Sequence, residues 1–280
     1  MRAIDMHVHV PRQPGNPDMV VEGQIRRYFR MKDVPTDPAV MAARYRELDV
    51  FGVVFSIDSQ TALGDAVDTN DYVASIVKAH PEQFMGFATV DPWKGKAAIY
   101  ELERAVTELG LRGLKLHPIQ QAFFPDDQKF YPLYEKAAAL KIPILLHSGF
   151  AAAGAGMPGG AGLKLKHSKP IPHIDDIAAD FPSLTVIMAH PAWPWIDEQI
   201  AVALHKPNVY IDLSGWAPKY IPEALIREAN GRLRDKVLFG SDYPYLPPDR
   251  WLKEFAELTI KEEVRPKILL ENAKRVLGIP

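Results

Sequence analysis

His7 and His9 stand two residues apart in Ile4-Asp5-Met6-His7-Val8-His9, at the end of a short apolar run. Strand residues at i and i+2 point the same way, so both imidazoles can face one side and share one ion. His117, His147 and His190 each end another such run, and Asp242 ends a further one. Lys115 has the parity of His117. A lone histidine at a strand end is more often a hydrogen-bonded core residue than a ligand. Register changes that reading here. Nine histidines scattered by chance would fall on helices and loops, whereas at least four end strands on one side, together with a carboxylate. Of the others, His80 and His205 lie near helix ends and read as solvated or capping. His167 and His173 lie in or beside a long loop, where either role is open. Imidazole and carboxylate donors without thiolate suit Zn²⁺, and also Mn²⁺, Fe²⁺ or Co²⁺. Such an ion lowers the pKa of a bound water or polarises a substrate oxygen.

The elements that must position these groups alternate along the chain. Apolar, β-branched runs occupy residues 2–7, 52–57, 84–90, 112–117, 142–147, 185–190, 209–214 and 237–242. They fit buried parallel strands. Helical patterns lie between them. Thr36-Asp37 before Pro38 reads as a cap followed by proline at the first helical position. Residues 128–140 put Phe130, Leu133, Tyr134, Ala137 and Leu140 on one face. Other helices are expected near 69–80, 95–109, 173–180, 195–205, 221–232, 250–258 and 262–277. Eight strand–helix units predict an α/β fold, a closed (β/α)₈ TIM barrel, as one domain over residues 1–280, with an open doubly wound sheet as the alternative. Residues 10–35, with Pro11, Pro14, Pro17 and Pro35, and the glycine-rich residues 148–172 break the rhythm. Neither is expected to hold a regular helix. Both follow strands on the face where barrel enzymes keep their sites, and both read as lids.

The bulk composition excludes several classes. The formal net charge of the 280 residues is −2 and no block of like charge forms a tail, which argues against a nucleic-acid partner. There is no cysteine, so disulfides and zinc–thiolate sites are excluded. No apolar stretch approaches the roughly 20 residues that cross a bilayer. The start of the chain carries no basic segment followed by an apolar run, so the expected location is cytoplasmic and the expected partner a small-molecule substrate.

Five motifs carry a resemblance. Ile4-Asp5-Met6-His7-Val8-His9, Gly113-Leu114-Lys115-Leu116-His117-Pro118, His147-Ser148-Gly149, Ala189-His190-Pro191 and Phe239-Gly240-Ser241-Asp242-Tyr243-Pro244 resemble the amidohydrolase superfamily. More narrowly, the chain is similar to the amidohydrolase-related branch that includes aminocarboxymuconate-semialdehyde decarboxylase-like enzymes. The similarity runs over nearly the whole chain, through Glu271-Asn272-Ala273. It implies His7, His9, His147 and Asp242 as ligands of one divalent ion, foremost Zn²⁺. It also implies Asp242 as proton acceptor or shuttle, and His190 as the histidine that hydrogen-bonds water or substrate. Binuclear superfamily members carry a carboxylated fourth-strand lysine that bridges two ions, and Lys115 lies on that strand. His117 sits nearer the strand end on the same face, which favours one ion, with Lys115 and His117 binding an anionic or carbonyl group of the substrate. Asp5 shares the parity of His7, one layer deeper, and reads as its support or as a structural group. Phe150 and Trp216 follow strands and are expected to line an aromatic pocket. Trp193 and Trp195 either join them or pack against the barrel. A homodimer is implied by the resemblance alone.

Two reactions suit such a site. The expected one is hydrolysis of a small carbonyl substrate (ester, lactone, amide or β-keto acyl compound) by metal-activated water, with Asp242 accepting the proton and His190 steadying the oxyanion. The alternative is non-oxidative decarboxylation of an aromatic or dienoic acid. The Gly113–Pro118 motif and the glycine-rich loop are more similar to hydrolase-like members, which favours hydrolysis. A phosphoesterase would place a histidine two residues after its late aspartate, and Tyr243-Pro244 follows Asp242 instead. A barrel that only binds would have lost ligand positions, and none is substituted.

Overall fold

The structure, a computed structural model, describes residues 1–32 and 36–280; Pro35, read as part of the first long loop, lies outside them. Among the described residues, nine strand segments form the barrel wall. They are β1 Ala3–His9, β2 Val50–Phe55, β3 Phe84–Gly86, β4 Ala88–Thr89, β5 Leu114–Leu116, β6 Ile144–His147, β7 Val186–Ala189, β8 Val209–Asp212 and β9 Val237–Leu238. β1 to β3 pair in parallel, as do β4 to β9, each in chain order. Phe87 divides one barrel strand into β3 and β4. Its N–H bonds to Val54 O at 2.9 Å, while the next N–H, of Ala88, bonds to Gly113 O at 2.7 Å on the other side. The last strand returns to the first through Met6 N to Phe239 O at 2.9 Å, His9 N to Tyr243 O at 2.8 Å and Asp242 N to His7 O at 3.0 Å. The sheet is thus a closed eight-stranded (β/α)₈ barrel.

Strand alternation sorts the side chains into two layers. Ile4, Met6, Val53, Phe55, Leu145 and Ile187 fill the barrel. Ala3, Val8, Val54, Leu114, Leu116 and Ile144 point outward against the helices. The helix starts are where local chemistry puts them. Asp37 accepts from Ala39 N at 2.8 Å ahead of Pro38, and Thr69 caps the helix Asn70–Ala79. No helix among the described residues is long and apolar enough to cross a membrane.

The first strand departs from simple alternation. Its register to β2 shifts between Asp5 and Val8. Met6 and His7 therefore both turn inward, and Asp5 faces out, not along with His7 as parity predicts. The Asp5 carboxylate accepts from Tyr45 Oη at 2.8 Å, Ser241 N at 2.8 Å and His7 N at 3.1 Å, and also from Ser241 Oγ. Burial pushes this carboxyl up to about 7, against the pull of those bonds. Asp5 pins the barrel seam from behind the site. Asp5→Ala strands several buried donors and is expected to cost about 2–4 kcal/mol in denaturant unfolding. A loss below about 0.5 kcal/mol would contradict that role.

Both long loops close over the C-terminal ends of the strands. The first holds a short helix, Glu22–Tyr28, where no regular helix was expected. Val21 and Ile25, four residues apart, pack on Ala151 and Ala153 of the second loop, so tertiary contact overrides the proline-rich context. Gln24 Oε1 accepts from Gly154 N at 2.7 Å, and the rings of Tyr28 and Phe150 lie 5.5 Å apart. Residues 148–172 otherwise form only single turns, as expected of so many glycines.

Candidate metal centre

The C-terminal mouth of the barrel gathers the singled-out residues around one cavity of about 560 Å³. Its floor holds His7, His9, Lys115, His117, His147 and His190, with Asp242 beside them. Ligand atoms of His7, His9 and Asp242 all lie within 4.8 Å of one another. His9 Nε2 is 3.1 Å and His7 Nε2 3.4 Å from the same oxygen, Asp242 Oδ1. Two donors each about 2.1 Å from a common ion stand about 3.0–3.4 Å apart, so these spacings suit a shared cation. His147 stands outside this tight group on the same floor. Its Nε2 is buried and has no hydrogen-bond partner among the described residues. Its ring stacks on His117 at 3.9 Å and meets His190 edge-on at 4.8 Å. An orphaned imidazole nitrogen beside three convergent donors fits a bound divalent ion.

The electrostatics agree. Burial alone would raise the Asp242 carboxyl, yet the His9 hydrogen bond and the nearby imidazoles outweigh it and hold it well below the usual range. Burial, helped by the Lys115 charge, keeps His7 well below its ordinary value, and burial does the same for His117 and His147. His190 is lowered by burial against the opposing pull of Asp242 and Asp212. These imidazoles are neutral at pH 7, the form that binds metals. Burial brings the Lys115 amine down to about 8, with Asp212 and Asp242 resisting. Its Nζ lies 3.3 Å from His7 Nε2 and 4.9 Å over the Phe55 ring.

Backbone geometry aims two of these groups. His190 and Asp242 follow their strands with φ of 70° and 73°, left-handed values uncommon outside glycine. The turn each makes directs its side chain to the floor, and such strain gathers at functional sites. Gly215 has no room for a side chain: a Cβ would come within 2.6 Å of His190 Nδ1.

Asp212 and Ser214, on and just after β8, were not singled out from the sequence. Asp212 Oδ2 accepts from His7 Nδ1 at 2.9 Å, and its Oδ1 accepts from Ser214 N at 2.7 Å. Ser214 Oγ lies 3.0 Å from His7 Nδ1 and 2.8 Å from His190 Nδ1. The Asp212 bond places the His7 proton on Nδ1 and leaves Nε2 as the lone-pair donor. One sequence signal was available: a carboxylate inside the apolar run Val209-Tyr210-Ile211-Asp212-Leu213-Ser214. Asp212→Asn is expected to weaken metal binding about 10–100-fold in competition with a chelating dye. Unchanged affinity would remove Asp212 from the site.

The cavity walls are aromatic, with Phe150 and Trp216 among them as expected, joined by Tyr28, Phe29 and Tyr245. Arg30 and Arg250 stand at the lining's edge. Trp193 and Trp195 are not in the lining; half-exposed Trp193 packs on Phe150 at 6.0 Å. His80 caps one helix and His205 ends another. His173 bonds Asp126 at 2.6 Å and Lys166 O at 2.9 Å, tying the second long loop down, and His167 is buried in that loop away from the cavity.

A family model described as Amidohydrolase matches residues 4–279. The chain belongs to the Amidohydrolase family. The motif resemblance to its decarboxylase-containing branch holds. This amidohydrolase is 26% identical over 264 residues to a gamma-resorcylate decarboxylase from Polaromonas sp. JS666, covering 79% of this chain and 78% of the relative. An uncharacterised TIM-barrel protein from Bordetella bronchiseptica superposes with a TM-score of 0.82 at 27% identity, over 99% of both chains. A dihydroxybenzoic acid decarboxylase from Polaromonas sp. JS666, solved with bound manganese and the inhibitor 2-nitroresorcinol, matches with a TM-score of 0.67 at 22% identity. It covers 99% of this chain and 96% of that one.

Proposed function

We propose that this amidohydrolase is a metal-dependent, non-oxidative decarboxylase of a planar aromatic or dienoic acid. The observation that carries this reading is the similarity to gamma-resorcylate decarboxylase across most of both chains, on a barrel whose polar floor is intact. Hydrolysis, the reaction expected from the loop motifs, is supported among the relatives only by the family name, so the decarboxylase alternative becomes the main reading.

His7, His9, His147 and Asp242 would hold one divalent ion. The nitrogen and oxygen donor set suits Mn²⁺, the ion of the solved decarboxylase, as well as Zn²⁺. When bound, the ion supplies positive charge that anchors and polarises the substrate oxygens. Lys115 and His117, side by side on β5 and its end, hold an anionic oxygen of the substrate. The aromatic walls sandwich the planar body and exclude water. In the reaction the bond from ring carbon to carboxyl carbon breaks, CO₂ leaves, and the electron pair stays on the ring carbon, which takes one proton. Asp242 is assigned as the carrier of that proton. The proton comes from solvent, and Asp242, on the cavity floor beside the substrate oxygens, passes it to that carbon. His190, steadied by Ser214 at 2.8 Å, holds the neighbouring substrate oxygen.

The test is incubation of the Mn²⁺-loaded protein with 2,6-dihydroxybenzoate and related hydroxylated benzoates. The expected result is CO₂ release with matching formation of the decarboxylated phenol. Absence of CO₂ from every such acid, with water-derived oxygen entering an ester or lactone product, would favour hydrolysis instead.

A further inference from the structure

Among the described residues, the charged side chains of the cavity lining are Lys115, Asp242, Arg30 and Arg250. On the floor, Lys115 and Asp242 offset one another. The outer half has only the two arginines, both exposed, and no carboxylate. Neither arginine is explained by its own element. Arg30 follows the helix Glu22–Tyr28 with a φ of 54°. Its N–H bonds Arg27 O at 3.1 Å, and the next N–H, of Met31, bonds Arg26 O at 2.9 Å. A helix end closed by this pair of bonds prefers glycine at the left-handed position, where a side chain is strained. The described carboxylates of its loop, Asp18 and Glu22, pair with Arg26 instead, at 3.3 and 3.1 Å. Arg250 is the third residue of the helix Pro248–Ala256, where the helix dipole disfavours a cation. Its Nε donates to Glu254 Oε1 at 2.8 Å, the weaker order for a pair four residues apart. Asp249 pairs with Arg44, so the terminal nitrogens of Arg250 keep no partner among the described residues. Phe29 stacks on Tyr245 at 5.5 Å and joins the loop that ends in Arg30 to the loop that leads into Arg250. Those loops follow the adjacent strands β1 and β9, so both guanidinium groups stand in one sector of the mouth. A cavity of about 560 Å³ suits a drug-sized ligand, and a single-ring acid on the floor fills only part of it.

We propose that the outer half of the cavity is a second subsite, in which Arg30 and Arg250 bind a distal carboxylate of an extended planar acid. The reacting carboxylate lies at the other end, on the floor. The class of acid rests on the decarboxylase reading; the outer subsite does not. The guanidinium fork matches the two oxygens of a carboxylate, and the aromatic wall between rim and floor covers the body of the molecule.

Calorimetric binding of 4-phenylsalicylate, and of its analogue with a second carboxylate on the far ring, tests this. The proteins are Mn²⁺-loaded wild type, Arg30→Gly, Arg250→Gln and the double variant. Wild type is expected to bind the diacid at least about tenfold more tightly than the monoacid. Each single variant should lose part of that preference and the double variant nearly all of it, with the monoacid bound as in wild type. Arg30→Gly should melt no lower than wild type, because glycine suits the left-handed backbone at that position. Arg227→Gln removes an exposed arginine outside the cavity and should keep the preference. A preference that survives in the double variant, or a wild type that shows none or binds neither acid, overturns the proposal. So does an equal loss in Arg227→Gln, which would mark a general effect of charge. A clear drop in melting temperature for Arg30→Gly would mark Arg30 as a structural group and also overturn it. A preference for the diacid in a protein that releases CO₂ from no acid would refute the decarboxylase reading and leave the subsite standing.

Discussion

Asp242→Asn is expected to lower turnover at least about 10³-fold while the protein stays folded. Asparagine is the informative substitution. It keeps the size of the side chain and tolerates the left-handed φ of 73° at this position, where alanine would add backbone strain. The barrel seam is made there by the backbone, Asp242 N to His7 O at 3.0 Å, and survives the change. What disappears is chemical. The neutral amide cannot carry the proton to carbon, and it withdraws the charged oxygen on which His9 and His7 converge at 3.1 and 3.4 Å. Turnover under saturating Mn²⁺ and the metal content of the same sample separate these losses. Activity within about tenfold of wild type at full metal occupancy would remove Asp242 from proton transfer.

Removal of the ion is expected to have the other large effect. Dialysis against a strong chelator should bring activity to background, and added Mn²⁺ should restore it. The barrel should remain folded, because its wall closes through backbone bonds and an apolar interior rather than through the ligands. The melting temperature should nevertheless rise when Mn²⁺ is returned, since an ion that binds only the folded state at about 100 times its Kd adds about 2.7 kcal/mol. A chelated protein that keeps its rate would exclude a metal-dependent reaction.

Much of this arrangement was legible in the sequence because barrels repeat. Eight apolar runs announced eight strands, and the C-terminal end of each run located His7, His117, His147, His190 and Asp242 at one mouth. Three features were not legible, each for a physical reason. The inward turn of His7 depends on a register shift in β1, and strict alternation sent Asp5 to the wrong side. The aim of His190 and Asp242 depends on left-handed backbone that no side-chain pattern signals. The helix Glu22–Tyr28 exists through contacts with residues more than a hundred positions away, which local propensity does not contain. Asp212 had a signal, a charge in an apolar strand, but its bond to His7 spans 205 positions and appears only when the barrel closes.

A crystal structure of the Mn²⁺-loaded protein, with anomalous scattering collected at the manganese edge, bears most directly on the shared cation. One peak per chain is predicted, within about 2.0–2.4 Å of His7, His9, His147 and Asp242. A peak bonded elsewhere, or two peaks bridged by a modified Lys115, would contradict the single-ion site.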